Sequence, residues 1–97
     1  MEEIRVYVMV VFNTNSGEVT LAASGISQAL MKLYAMQELK KRQGMLIIDR
    51  ETGQVVWAYD GRLGRAFTPK AYAHCADFGI ALKDLQFDER FAECSTN

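Results

Sequence analysis

A sixteen-residue pattern that occurs twice, 36 positions apart, constrains this 97-residue chain more than any other feature. The second occurrence, Leu46 to Gly61, reads LIIDRETGQVVWAYDG. Its runs LIIDR and QVVWAY are rich in the β-branched and aromatic residues that suit a pleated, half-buried surface. Between them Glu51-Thr52-Gly53 supplies a turn in which the glycine can take a positive φ. The stretch is therefore expected to be a β-hairpin. The first occurrence, Val10 to Gly25, reads VVFNTNSGEVTLAASG and aligns with it without a gap. Gly17 matches Gly53, Val19 matches Val55, Ala22 matches Ala58 and Gly25 matches Gly61, while Asn13/Asp49, Ser16/Thr52 and Glu18/Gln54 are conservative pairs. A duplicated unit would give this pattern, and so would two hairpins obeying the same turn rules. Either way the layout is hairpin–helix over residues 4–44 and hairpin–helix over residues 45–94 of a single domain, with a frayed tail at 95–97.

Along the chain, Ile4 to Phe12 is the first strand. Ile4, Val6, Val8, Val10 and Phe12 share one face and Tyr7, Met9 and Val11 the other, because side chains alternate along a strand. A strand apolar on both faces is either central in a covered sheet or buried by a partner subunit. Glu18 to Ser24 returns as a weaker strand. Ser24 or Ser27 can cap a helix that runs to about Gln43, with Gly44 placed to end it. Ile26, Ala29, Leu30, Leu33, Tyr34 and Met36 form its expected inward stripe, leaving Met31, Ala35 and Leu39 outside. After the second hairpin comes the glycine-punctuated loop Asp60 to Arg65. Thr68 as N-cap and Pro69 at the first helical position open a second helix, with Phe67 and Tyr72 at the spacing of a hydrophobic staple. Its inward stripe is Ala71, Cys75, Phe78 and Leu82, and Leu85, Phe87 and Phe91 suggest a further packed turn. The fold class is α+β: a four-stranded antiparallel sheet from two hairpins (ββαββα), covered by two helices.

The net charge of −1 argues against bulk attraction to nucleic acid or membrane, yet its distribution is uneven. Residues 40–70 carry Lys40, Lys41, Arg42, Arg50, Arg62, Arg65 and Lys70 against Asp49, Glu51 and Asp60, whereas the segments on either side are net acidic. Cys75 and Cys94 lack CxxC spacing, and the single His74 cannot complete a zinc site with them, so neither metal nor cofactor is expected. The two thiols are expected to be free in a reducing cytoplasm, a lone disulfide being the alternative. No signal peptide or membrane span is expected.

Catalytic readings are weak. His74 and Cys75 are neighbours on a helix and point about 100° apart. Asp49, Glu51 and Asp60 would have to converge in a cleft for acid–base chemistry, and turn chemistry accounts for Asp49 and Asp60 without it. The sequence reads as non-enzymatic. A basic patch is the stronger candidate. Lys40, Lys41 and Arg42 suit a helix C-terminus on dipole grounds alone, but Arg62 and Arg65 sit in a loop after Trp57 and Tyr59, where they suit contact with phosphate or with an acidic surface. Lys70 extends the set. The apolar surplus on the first strand (Tyr7, Met9, Val11) and on the helix (Met31, Ala35, Leu39) would suit self-association as a homodimer.

Ser24-Gly25-Ile26-Ser27-Gln28-Ala29 opening a helix, followed by a short hairpin ending Val56-Trp57-Ala58-Tyr59-Asp60-Gly61, resembles small phage anti-CRISPR proteins of the hairpin–helix–hairpin type that act on type I-F surveillance complexes. The resemblance covers residues 4–65. It implies a phage-encoded inhibitor that docks on a ribonucleoprotein where target DNA would hybridise, inside a bacterial cell, with Gln28, Lys32 and the basic residues near Arg62 as contacts. This chain departs from that type by some thirty further residues, net acidic, and by a slightly negative total charge. A nucleic-acid-binding accessory or regulator using the same arginines, or a structural homodimer, are the alternatives.

Overall fold

The computed structural model describes residues 4–68 and Lys83. The element order is β1 (Tyr7–Asn13), β2 (Val19–Gly25), α1 (Gln28–Glu38), β3 (Gln43–Asp49), β4 (Val55–Asp60) and β5 (Arg65–Phe67). The five strands form one antiparallel sheet in the order β2-β1-β3-β4-β5. Four strands were expected. The fifth comes from the glycine-punctuated loop, which tightens into a turn that lays Arg65–Phe67 back on β4. The second helix expected from Pro69 onward, with Cys75 and Cys94, lies outside the described residues.

Both repeated stretches form hairpins, and they match bond for bond. Asn13 Oδ1 accepts from the N–H groups of Asn15 and Ser16 at 2.8 and 3.0 Å, and Asp49 Oδ1 accepts from those of Glu51 and Thr52 at 2.9 and 3.3 Å. The Gly17 and Gly53 amides donate back to the carbonyls of Asn13 and Asp49, both at 2.8 Å, with φ of 75° and 74°. Ser16 Oγ and Thr52 Oγ1 accept from Glu18 and Gln54, both at 3.2 Å. Each hairpin then carries one bulged residue, Thr20 and Val56, again 36 apart.

The repeat extends to the sheet as a whole. In the β1–β3 pairing Val10 faces Leu46, its own equivalent in the repeat, and every other pair is disposed symmetrically about these two. The four strands β2-β1-β3-β4 are therefore related by a pseudo-twofold axis normal to the sheet through the Val10–Leu46 pair. This places β1 and β3 at the centre. Met9, Val11, Met45 and Ile47 pack with Met31 and Ala35 of α1 on one face, and Val8, Val10, Leu46 and Ile48 form a second cluster on the other, edged by Phe12, Val19 and Phe67. Val8 to Val11 are at most 1% exposed, which is why β1 is apolar on both faces.

The helix differs from expectation in phase and length. Ser27 caps it, its Oγ accepting from the Leu30 N–H at 3.2 Å, but Met31 and Ala35 are the inward residues while Leu30, Leu33 and Met36 are exposed. A helix apolar on nearly every side leaves its phase undetermined by periodicity; the sheet beneath sets it. It stops at Glu38 because Leu39 turns extended and packs on the helix-side core. Gly44 belongs to β3, not to a helix cap. A Cβ there would lie 2.6 Å from the Phe12 ring, so the glycine makes room for that ring on the sheet.

Candidate functional site: a basic corner

Three segments meet at the end of the sheet where β3 begins: the turn after β1, the link Lys40–Gln43, and the turn between β4 and β5. The link is held by its own side chain, Gln43 Oε1 accepting from the Lys40 N–H at 3.0 Å and the Gln43 N–H donating to the Lys40 carbonyl at 3.0 Å. Thr14 fastens it to the first turn, donating to the Arg42 carbonyl through its N–H at 2.8 Å and through Oγ1 at 3.0 Å. The Gly61 N–H donates to the Gln43 carbonyl at 2.9 Å, which brings the β4–β5 turn against the link. A Cβ on Gly61 would overlap the carbonyls of Lys40 and Gln43, so only glycine permits this approach.

Asp60 organises the β4–β5 turn. Its carbonyl accepts from Leu63 and Gly64, and its carboxylate accepts from the Arg62 N–H at 2.8 Å and from the Arg62 guanidinium at 2.9 Å. The Arg62 hydrogen bond outweighs the opposing effect of burial and, with the Arg62 and Leu63 amides, holds the Asp60 carboxyl below its ordinary pKa. Arg62 is thus part of the scaffold of the corner. The side chains of Lys40, Lys41, Arg42 and Arg65 are exposed and make no hydrogen bond or ion pair with described residues. Five cations and one carboxylate occupy the link and the turn. Alongside is a small cleft of about 90 Å³ lined by Phe12, Thr14, Gly44, Tyr59, Asp60, Arg62 and Phe67.

The pseudo-twofold relates this corner to one at the opposite end of the sheet. There the Arg50 N–H donates to the Val6 carbonyl at 3.0 Å, the counterpart of the Thr14–Arg42 bond. The backbone is alike but the charge is not. Arg5 and Arg50 stand against Asp49 and Glu51. Arg5 Nη1 lies 2.6 Å from Asp49 Oδ2, and Arg50 Nη1 donates to Ser24 Oγ at 3.2 Å. Burial alone would raise the Asp49 pKa. The Arg5 guanidinium and the Thr52 and Glu51 amides reverse that and leave the carboxyl below its ordinary value.

Of the residues singled out from sequence, the structure gathers Lys40, Lys41, Arg42, Arg62 and Arg65 at one corner. Lys70 lies outside the described residues. Gln28 sits at the other end of α1, ten residues and so about 15 Å from its C-terminal end. Trp57 and Tyr59 stack on each other at 5.6 Å beneath the helix, with Lys32 Nζ 5.8 Å from the Trp57 ring centroid, so these three form a packed cluster within the chain. Met9, Val11, Met31 and Ala35, assigned from sequence to self-association, are at most 4% exposed and belong to the core; Tyr7 and Leu39 are half-buried against it. The link's role escaped the sequence because Lys40, Lys41 and Gln43 are good helix formers. Gly61, matched to Gly25 in the repeat, was the one signal of a close approach there.

Among the described residues no three His, Cys, Asp or Glu side chains gather as a metal site, and no helix is long and apolar enough to cross a membrane. No protein-family model, curated protein or solved structure matches the chain.

Proposed function

We propose that this chain is a non-catalytic binding module that docks through its basic corner, inside a bacterial cell, on the acidic or phosphate-bearing surface of a ribonucleoprotein. The form that the sequence resemblance favours is a phage-encoded inhibitor of a type I-F CRISPR surveillance complex. One observation carries the reading. Two corners with matching backbone differ in charge: one is balanced, and the other presents exposed Lys40, Lys41, Arg42 and Arg65, which make no ion pair among the described residues, on a hydrogen-bonded frame. Such a surplus costs self-repulsion, but it supports electrostatically guided association. The carboxylates nearest each corner are engaged by their own turns and held ionised, which suits a scaffold better than acid–base chemistry at neutral pH.

The test is an affinity capture with tagged protein from lysate containing a type I-F complex, the eluate read by mass spectrometry. A Lys41→Glu/Arg65→Glu variant runs alongside, since Arg62 is needed for the turn. Enrichment of effector subunits by the wild type and their loss with the variant is the expected result. A second reading, direct binding of a nucleic acid, draws on the Phe12 and Phe67 rings that line the cleft beside the cations. It predicts an affinity falling steeply with salt as phosphate counterions are released, whereas a mixed protein interface loses less.

A further inference from the structure

The turn between β4 and β5 is built on the plan of the two repeated hairpin turns, with one departure. In all three, the first residue's side-chain oxygen accepts from the amide two positions on: Asn13 from Asn15 at 2.8 Å, Asp49 from Glu51 at 2.9 Å and Asp60 from Arg62 at 2.8 Å. The second residue's amide fastens the turn to a neighbouring segment, Thr14 to the Arg42 carbonyl, Arg50 to that of Val6 and Gly61 to that of Gln43. The fifth residue is a glycine with φ of 75°, 74° and 64°, whose amide donates to the first residue's carbonyl. The fourth position differs. Ser16 and Thr52 are exposed there, and their hydroxyls accept from the amides of Glu18 and Gln54. The third turn has Leu63, which offers the Arg65 amide no acceptor and is 57% exposed. We infer that Leu63 is the apolar anchor of the basic corner, seated on docking in an apolar socket of a protein partner whose rim is acidic.

This inference rests on the docking reading of the corner and names the partner's chemistry there. Three observations favour a protein socket. First, the leucine stands where the same turn elsewhere carries a hydroxyl, so the exchange forgoes a hydrogen bond and adds apolar surface at the tip. Second, cations surround it: Arg62 and Arg65 flank it in the turn, and the Gly61–Gln43 bond brings Lys40, Lys41 and Arg42 of the link against the same turn. An apolar anchor ringed by charge fits a pocket whose floor is apolar and whose rim carries carboxylates. Third, the other anionic surfaces use the leucine poorly. A phosphate backbone engages the cations and leaves the leucine in water. A bilayer needs more apolar surface than one side chain, since even a single myristoyl chain binds only marginally. The net charge of −1 also opposes an extended polyanion or an anionic bilayer beyond the patch itself. The turn is held by its own hydrogen bonds before any partner arrives, so little ordering is required on docking.

Leu63→Ser tests this, because it installs the residue found at the equivalent Ser16 and leaves the net charge unchanged. Wild type, Leu63→Ser and Lys41→Glu/Arg65→Glu are compared for binding to the purified type I-F surveillance complex by interferometry. A single-stranded oligonucleotide and phosphatidylserine-containing vesicles are the other two probes. Leu63→Ser should bind the complex about tenfold or more weakly, by a factor that changes little between low and high salt, and should melt at or above the wild-type temperature. A lower melting temperature would assign the leucine to the fold and overturn the inference whatever the partner. Wild-type binding by Leu63→Ser, with binding lost in the charge variant, would overturn the anchor while the docking reading stands. Wild-type binding to the oligonucleotide or the vesicles, but not to the complex, would replace the protein socket with a phosphate surface. Binding to none of the three would refute the docking reading, and the anchor with it.

Discussion

Replacing Asp49 separates the two things its carboxylate does. Oδ1 accepts from the Glu51 and Thr52 amides and closes the turn; Oδ2 faces Arg5 at 2.6 Å. Asparagine keeps the first role, as Asn13 shows at the equivalent position with two matching bonds. Asp49→Asn therefore loses only the ion pair. Because the Arg5 side chain is 47% exposed, the pair is worth about 1 kcal/mol at most. Asp49→Ala loses the turn bonds as well, at about 1 kcal/mol each, for a total near 3 kcal/mol. The folded-state pKa of Asp49 lies below the unfolded value, so its contribution is fully present above about pH 5 and is lost as the pH falls through the folded pKa. Urea denaturation of the three proteins at pH 7, repeated down to about pH 2, measures both effects. The asparagine variant should lose less stability on acidification than the wild type. Equal costs for asparagine and alanine at pH 7 would refute the assignment of the turn to Oδ1, and an unchanged acid loss in the asparagine variant would refute the pairing with Arg5.

Other substitutions probe the remaining parts. Gly17→Ala and Gly53→Ala should each cost about 1–2 kcal/mol, and nearly the same amount, because both positions hold φ near +75°; unequal midpoints would contradict the matching of the hairpins. Gly61→Ala should destabilise by about 2 kcal/mol or more, since a methyl there meets backbone carbonyls that cannot swing aside; a wild-type melting temperature would mean that the link and turn are not in contact. Met31→Glu should unfold the domain, as judged by circular dichroism, because it places a charge in the core, whereas Leu33→Glu at an exposed position should melt as the wild type does.

What the sequence disclosed and what it hid divide along physical lines. The hairpins were legible because the matched residues are those that close the turns: a glycine that must take positive φ, an Asn or Asp whose oxygen collects amides, and a Ser or Thr that caps the next one. The central place of β1 was legible from its two apolar faces. The phase of α1 was not, since Leu30, Met31, Leu33, Tyr34, Ala35 and Met36 offer hydrophobic surface in nearly every direction, and the choice between them is made by Met9, Val11 and Ile47 below. β5 was hidden because Arg65-Ala66-Phe67 is too short to show a period, and its place depends on the Asp60–Arg62 turn. Of the corner, the residue types were legible. Their meeting was not, because it depends on one backbone bond between Gly61 and Gln43.

Inhibition of target-DNA binding by a purified type I-F surveillance complex tests the basic corner most directly. Three proteins are compared: the wild type, Lys41→Glu/Arg65→Glu, and Gln54→Glu as a charge change on the turn at the far end of the sheet. The wild type and Gln54→Glu should block DNA binding alike, while the double variant, folded by its melt, should be weaker by tenfold or more, a loss of about 1.4 kcal/mol. No inhibition by the wild type, or equal inhibition by the corner variant, would contradict the assignment of function to this surface.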